Sequence, residues 1–178
     1  MAIEPLKNSL PDFAKDIRLN VSALFNNYAQ SGLTAEQFYG VALAVAFSLN
    51  NQLMVAAIKE EGGSHCHQAL EEAAKIAATL MAMNNVYYRF IHLVSDKEFA
   101  SMPAQLRMNG LQSHGMAKAD FELLALAVSA INGCGLCMDS HVKQLTSHGL
   151  TKSAIQTSIR MAAVLKAMDQ ALAIEKIK

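Results

Sequence analysis

Cys134-Gly135-Leu136-Cys137, followed by His141, is the stretch of this sequence whose residue types could do chemistry. A Cys-x-x-Cys pair stores two electrons as a dithiol and releases them when it closes to a disulfide. Residues three apart on a helix share a face, so Cys134 and Cys137 are close enough to bridge. Cys137 and His141 are four apart, again on one face. Imidazole is the side chain whose charge changes near neutral pH, which suits it to take and return a thiol proton. Asn132-Gly133 just ahead is a turn signal, and either residue can cap the helix that follows. Thiols at a helix N-terminus sit beside unpaired backbone N–H groups, which favours thiolate.

These positions require two helices folded back on one another. Leu123, Leu124, Leu126, Ala127, Val128, Ala130 and Ile131 make an apolar helix after Lys118, and a second helix runs from about Cys134 to Ser147, with His148-Gly149 as its stop. In an antiparallel hairpin, residues equidistant from the turn become neighbours. Glu122 lies ten residues before Asn132, and His141 lies eight after Gly133. The hairpin therefore brings carboxylate, imidazole and thiol into one relay.

Composition narrows the fold and the partners. The chain has 178 residues, 52% hydrophobic and only 6% aromatic, rich in alanine, leucine and methionine and with three prolines. That balance favours an all-α protein, and the length suits one helical domain spanning residues 1–178. Fifteen Lys plus Arg offset fifteen Asp plus Glu, so no net field steers nucleic acid or anionic lipid. The N-terminal stretch is polar and proline-broken, and the apolar runs are short or interrupted by charge. No signal peptide and no membrane span are expected, and the reading is cytoplasmic. Three cysteines, two of them in CxxC, point in a reducing compartment to redox chemistry or metal binding.

Along the rest of the chain, Pro5 to Ser9 reads as a lead-in, and Pro11-Asp12 opens a helix, with Gly32 ending it or its following turn. Thr34 and Gln37 form a capping box for an apolar helix from Phe38 to about Leu49. Asn50-Asn51 turns the chain into a helix that Gly62-Gly63 ends. Ser64 or His65 leads into a long helix over Ala69 to Val94, then a looser region, a short helix near Leu106 to Asn109, and the hairpin. Thr151 caps a final helix from Ala154 to Lys176. A faint repeat runs through this order. Ala42-Leu43-Ala44-Val45 matches Ala125-Leu126-Ala127-Val128 at a displacement of 83 residues. Two degenerate halves, about 34–94 and 117–177, would then pack about a pseudo-twofold axis, with Asn51, Met54 and Ile58 standing where Cys134, Cys137 and His141 stand.

Other readings compete for the same residues. A non-catalytic thiol redox sensor needs only the CxxC. A structural zinc-binding helical protein needs four ligands; Cys134, Cys137 and His141 supply three, and Glu122, Cys66 or His148 would complete the set. His65-Cys66-His67 is not itself a metal motif, since adjacent side chains diverge, and Cys66 reads as a packed thiol. Asn84, Asn85, Tyr87, Tyr88 and Arg89 form a polar cluster inside an apolar helix, and burial obliges those amides to find partners, at an inter-helix or subunit contact or at the site itself.

The segments IEPLKNSLPDFAKDIRLNVS, MAMNNVYYR, LRMN and above all FELLALAVSAINGCGLCMDSH resemble the alkyl hydroperoxide reductase D (alkylhydroperoxidase) family of the carboxymuconolactone decarboxylase-like superfamily. The similarity covers nearly the whole chain. It implies an all-helical alkylhydroperoxidase D-like fold, a homotrimer, and a cytoplasmic antioxidant enzyme with lipoyl-dependent hydroperoxidase activity. It implies no bound cofactor, with dihydrolipoamide as electron donor, carried on a lipoylated 2-oxoacid dehydrogenase subunit. It implies an alkyl hydroperoxide reductase C-type peroxiredoxin as partner, with organic hydroperoxide as substrate. By motif, Glu122, Cys134, Cys137 and His141 are its catalytic residues, Cys137 forming the sulfenic acid and Cys134 resolving it. The family's usual histidine before the second cysteine is Leu136 here, which implies a weaker peroxidase step or another proton route.

Overall fold

The computed structural model describes residues 2–177. Eight α-helices and no strands are found among them: α1 Ile3–Asn8, α2 Lys15–Asn26, α3 Ala35–Ser48, α4 Gln52–Gly62, α5 Gln68–Leu93, α6 Lys118–Ile131, α7 Gly135–Ser147 and α8 Lys152–Glu175.

The centre of the molecule is the pair α3 and α6. Every residue from Phe38 to Ala46 is buried, as is every residue from Leu123 to Ser129. A helix apolar on all sides belongs inside, and these two are covered by α4, α5, α7 and α8. Each leucine sealed there contributes about 1.5–3 kcal/mol, so Leu123, Leu124 and Leu126 fix the rotation of α6 and with it the direction of Glu122. Thr34 starts α3 with both hydrogen bonds of a capping box, its hydroxyl accepting from the Gln37 N–H at 3.1 Å and Gln37 Oε1 accepting from the Thr34 N–H at 3.0 Å. Phe25 of α2 meets Phe38 edge-on, with ring centroids 5.4 Å apart.

The repeat is visible in the boundaries. α3 and α6 both have 14 residues and begin 83 apart; α4 and α7 begin 83 apart, and α5 and α8 begin 84 apart. Gln37 donates to Asp120 Oδ1 at 2.6 Å. Those two residues are themselves 83 apart, so the halves touch at equivalent positions.

Three local expectations change, and one is narrowed. Ile3–Asn8 is a helix rather than a lead-in, because Pro5 lies in its first turn, where backbone N–H groups lack helical acceptors anyway. The helix opened by Pro11 starts as a 3₁₀ turn over Asp12–Ala14 and stops at Asn26; of the two endings expected at Gly32, the structure has the one in which it closes the following turn. Ser64 and His65 form a 3₁₀ turn, and it is His67 that caps α5, its Nδ1 accepting from the Leu70 N–H at 3.2 Å. The short helix expected at Leu106 to Asn109 is a 3₁₀ turn at Asn109–Leu111; Gln105, at φ 52°, takes the backbone out of helical space just upstream.

Candidate active site

The α6–α7 turn seats both cysteines. Gly133 takes φ 68°, a left-handed value that costs glycine little and most residues more. It delivers Cys134 to the N-cap of α7, where its sulfur accepts the Cys137 backbone N–H at 3.3 Å. Cys134 and Cys137 are joined in a disulfide, with Cα atoms 5.3 Å apart. Cys134 is 0% exposed and Cys137 8%.

Glu122 and His141 meet as the hairpin geometry predicts. Oε2 of Glu122 lies 2.6 Å from Nδ1 of His141, and both side chains are largely buried. An ionised carboxylate only accepts hydrogen bonds, so Nδ1 carries the hydrogen and donates. The lone pair of neutral His141 is then on Nε2, free to take a proton. His141 is one turn along α7 from Cys137, and both line the same cavity.

The turn is held from the far half of the chain. Asn85, fully buried in α5, donates from Nδ2 to Ser129 Oγ at 2.9 Å, and its Oδ1 accepts from Asn132 Nδ2 at 2.9 Å. Arg89 Nη1 donates to the Asn132 carbonyl oxygen. Three groups at the end of α6 thus find partners in the polar cluster that interrupts α5. Each bond adds about 0.5–1.5 kcal/mol net, and losing a partner costs about 1–3 kcal/mol where the other stays buried.

The cavity in front of Cys137 has a volume of about 490 Å³. Its walls are mainly apolar, including Met81, Met108, Leu111, Phe121 and Leu136, with Asn84, Tyr88 and His114 among the polar residues that complete it. His114, in the loop before α6, lies flat on Phe121 with ring centroids 4.1 Å apart and planes 7° apart. Burial pushes its imidazole below the ordinary value, and the nearby Glu122 carboxylate pulls the other way. Asn84 is 5% exposed, and its Oδ1 is the one buried side-chain oxygen or nitrogen without a partner among the described residues. The sequence offers His114 as a substitute for the histidine replaced by Leu136, and Asn84 within the polar cluster, but it places neither of them. A loop histidine has no periodicity to give its direction, and the paired amides of α5 do not reveal which one turns to the cavity.

The remaining candidates lie elsewhere. His148 closes α7, its Nδ1 donating to the Gln144 carbonyl at 2.8 Å, and it does not border the cavity. His65 stacks on Tyr39, His67 pairs with Glu36 at 3.0 Å, and the Cys66 thiol faces the Ile58 carbonyl at 3.6 Å. The His-Cys-His run therefore diverges. Cys66 is a free thiol, and burial raises its pKa.

Known proteins are similar to this chain along most of its length. The carboxymuconolactone decarboxylase family matches residues 97–177, the part that holds Cys134 and Cys137. A protein of Bradyrhizobium sp. strain BTAi1, named alkyl hydroperoxide reductase AhpD, is 49% identical over 97% of this chain and 93% of its own length. Proteins of the same name from Rhodopseudomonas palustris strain BisA53 and Maricaulis maris are 50% and 48% identical, over 94% and 98% of this chain and 91% and 99% of theirs. With the hairpin, its cysteines and these full-length similarities together, the chain belongs to the alkyl hydroperoxide reductase AhpD family.

Proposed function

We propose that this protein is an antioxidant thiol–disulfide oxidoreductase with lipoyl-dependent alkyl hydroperoxidase activity. It reduces organic hydroperoxides, regenerates an alkyl hydroperoxide reductase C-type peroxiredoxin, or does both. The observation that carries the reading is the Glu122–His141 pair at 2.6 Å on the wall of a cavity that also receives Cys137.

In the reduced protein, Nε2 of His141 takes the Cys137 proton while Glu122 stabilises the resulting imidazolium. The Cys137 thiolate attacks the distal oxygen of the hydroperoxide. The O–O bond breaks, an S–OH bond replaces it, and the alkoxide leaves with the proton held by His141. The Cys134 thiol then attacks that sulfur, releases water and closes the disulfide. Dihydrolipoamide, presented by a lipoylated 2-oxoacid dehydrogenase subunit, reopens it by thiol–disulfide exchange and becomes the cyclic disulfide. The two cysteines carry both electrons, so the cycle needs no bound cofactor.

A homotrimer in the cytoplasm completes the reading. Val86, Phe90 and Leu93 leave an apolar strip exposed on the outer end of α5, which further copies of the chain would cover. Among the described residues, no helix is long and apolar enough to cross a membrane.

The test is turnover of cumene hydroperoxide with dihydrolipoamide, with and without a peroxiredoxin. Catalytic consumption of lipoyl thiols in either arm is the expected result. Stoichiometric oxidation with no turnover in both arms would leave a redox sensor instead.

A further inference from the structure

Two polar groups on the cavity wall have work left undone by the protein. Asn84 presents a buried carbonyl oxygen with no donor, and an acceptor stripped of water without a replacement is destabilising. His114 is the other. Its Nδ1 accepts the Met116 backbone N–H at 3.3 Å, which places the hydrogen of the neutral ring on Nε2. Burial shifts the ring toward its neutral form, with the Glu122 carboxylate pulling the other way. Stacking on Phe121 fixes its plane. No protein acceptor for Nε2–H is found among the described residues. Asn84, His114 and Cys137 line the same cavity, so an amide oxygen and an imidazole N–H that the protein leaves unpaired belong to residues bordering it together with the reactive cysteine.

We propose that Asn84 and His114 bind and orient the hydroperoxide group itself: Asn84 Oδ1 accepts the O–H of the distal oxygen, and His114 Nε2–H donates to the proximal oxygen that leaves. The assignment rests on the peroxidase reading above and specifies which end of R–O–O–H meets the sulfur. Cys137 forms its bond to the distal oxygen, whose hydrogen stays on the sulfenic acid and stays on Asn84. The O–O bond breaks, sulfur loses two electrons, and the charge that develops on the proximal oxygen is met by the His114 donor until His141 delivers the proton. A fixed donor aimed at developing negative charge is a strong means of lowering such a barrier. A neutral imidazole suits that task because it donates a hydrogen bond without taking the proton that Cys137 must lose. The alkyl group then faces Met81, Met108, Leu111 and Leu136, which favours bulky organic hydroperoxides over hydrogen peroxide.

The experiment uses full-length reduced protein in two parallel reactions: thiol loss in a single turnover with cumene hydroperoxide, and alkylation of Cys137 by iodoacetamide, read by peptide mass spectrometry. Iodoacetamide reports the thiolate but has no peroxide bond to orient. His114→Phe keeps the stack on Phe121 and deletes the donor, and its peroxide rate is expected to fall about 100-fold. His114→Gln restores a donor and should recover much of that loss. Asn84→Ala removes a group that has no partner, so folding is not threatened; about a tenfold fall is expected. All three should alkylate within about twofold of the wild type. Wild-type peroxide rates in both His114→Phe and Asn84→Ala would overturn the assignment, as would parallel falls in both reactions. A wild-type protein that alkylates normally yet leaves cumene hydroperoxide intact would remove the peroxidase reading and this assignment together. Loss confined to the variants would support both.

Discussion

Where the second half of the chain carries Glu122, Cys134, Cys137 and His141, the first half carries Tyr39, Asn51, Met54 and Ile58. The backbone does not distinguish them. Asn50 holds φ 55° where Gly133 holds 68°, and Asn51 has φ −97° and ψ 96° where Cys134 has −95° and 91°. Both cap residues accept the N–H three residues on, at 3.0 Å for Asn51 and 3.3 Å for Cys134. Each turn is also held by the long helix of the opposite half. Asn85 and Arg89 of α5 secure the second turn, and Asp169 of α8 accepts from Asn51 Nδ2 at 2.9 Å. The difference lies in what fills the space. Met54 and Ile58 are fully buried, and Tyr39 packs among Phe38, Tyr28 and His65. On the other side the same space remains a cavity. The turn is a scaffold that both halves share, and chemistry needs thiols, a carboxylate–imidazole pair and room for a substrate in addition.

Substitution at paired positions sharpens that contrast. Cys137→Ser is expected to reduce dihydrolipoamide-dependent turnover by at least about 1000-fold, since no other sulfur is placed to replace the nucleophile, whereas Met54→Leu leaves turnover at the wild-type rate in the same assay. Glu122→Gln should slow Cys137 alkylation and peroxide reduction by about 100-fold while thermal unfolding stays nearly unchanged. An unchanged rate across neutral pH would break the relay. Met54→Ala reverses the pattern: a loss of about 2–5 kcal/mol in urea unfolding from the cavity it leaves, with normal turnover per folded molecule. Asn85→Ala should cost about 1–3 kcal/mol by stranding Ser129 and Asn132, more than Asp169→Ala, which strands a side chain nearer solvent.

The smallest effect is a pH slope. Burial lowers the His114 pKa below its ordinary 6.5, with Glu122 opposing in part. As pH falls through about 6.5 the unfolded chain takes up a proton that the folded chain refuses. Stability therefore falls with pH until the folded pKa is passed. His114→Phe should flatten that part of the stability–pH curve, measured by urea midpoints.

Much of this was legible in the residues. The relay follows from i,i+3 and i,i+4 spacing and from counting outward from Asn132-Gly133, because helices have fixed periods and hairpins fixed symmetry. Thr34 and Gln37 announce their cap for the same reason. The repeat shows in one tetrapeptide, because buried alanine-rich faces preserve size while the rest drifts. His114 could be named in place of the histidine that Leu136 replaces but not placed, since a loop side chain has no period from which to infer its direction. Asn85 could be predicted to need partners, but Ser129 and Asn132 are supplied by tertiary packing that no local pattern encodes. His67 as a cap was missed because imidazole seldom takes the role usually filled by Ser, Thr, Asp or Asn.

One consequence follows from the unequal depth of the two sulfurs. Cys134 is sealed and Cys137 is not. An incoming thiolate must approach along the S–S axis of the atom it strikes, and the sulfur it displaces departs. In the cycle proposed above, Cys137 is the sulfur open to attack, so a mixed disulfide with a lipoyl thiol or a partner protein would form there and Cys134 would be the one expelled. Reductant and oxidant consequently queue for a single atom. On that proposal two bulky partners would exclude one another at this sulfur, and turnover would alternate between them.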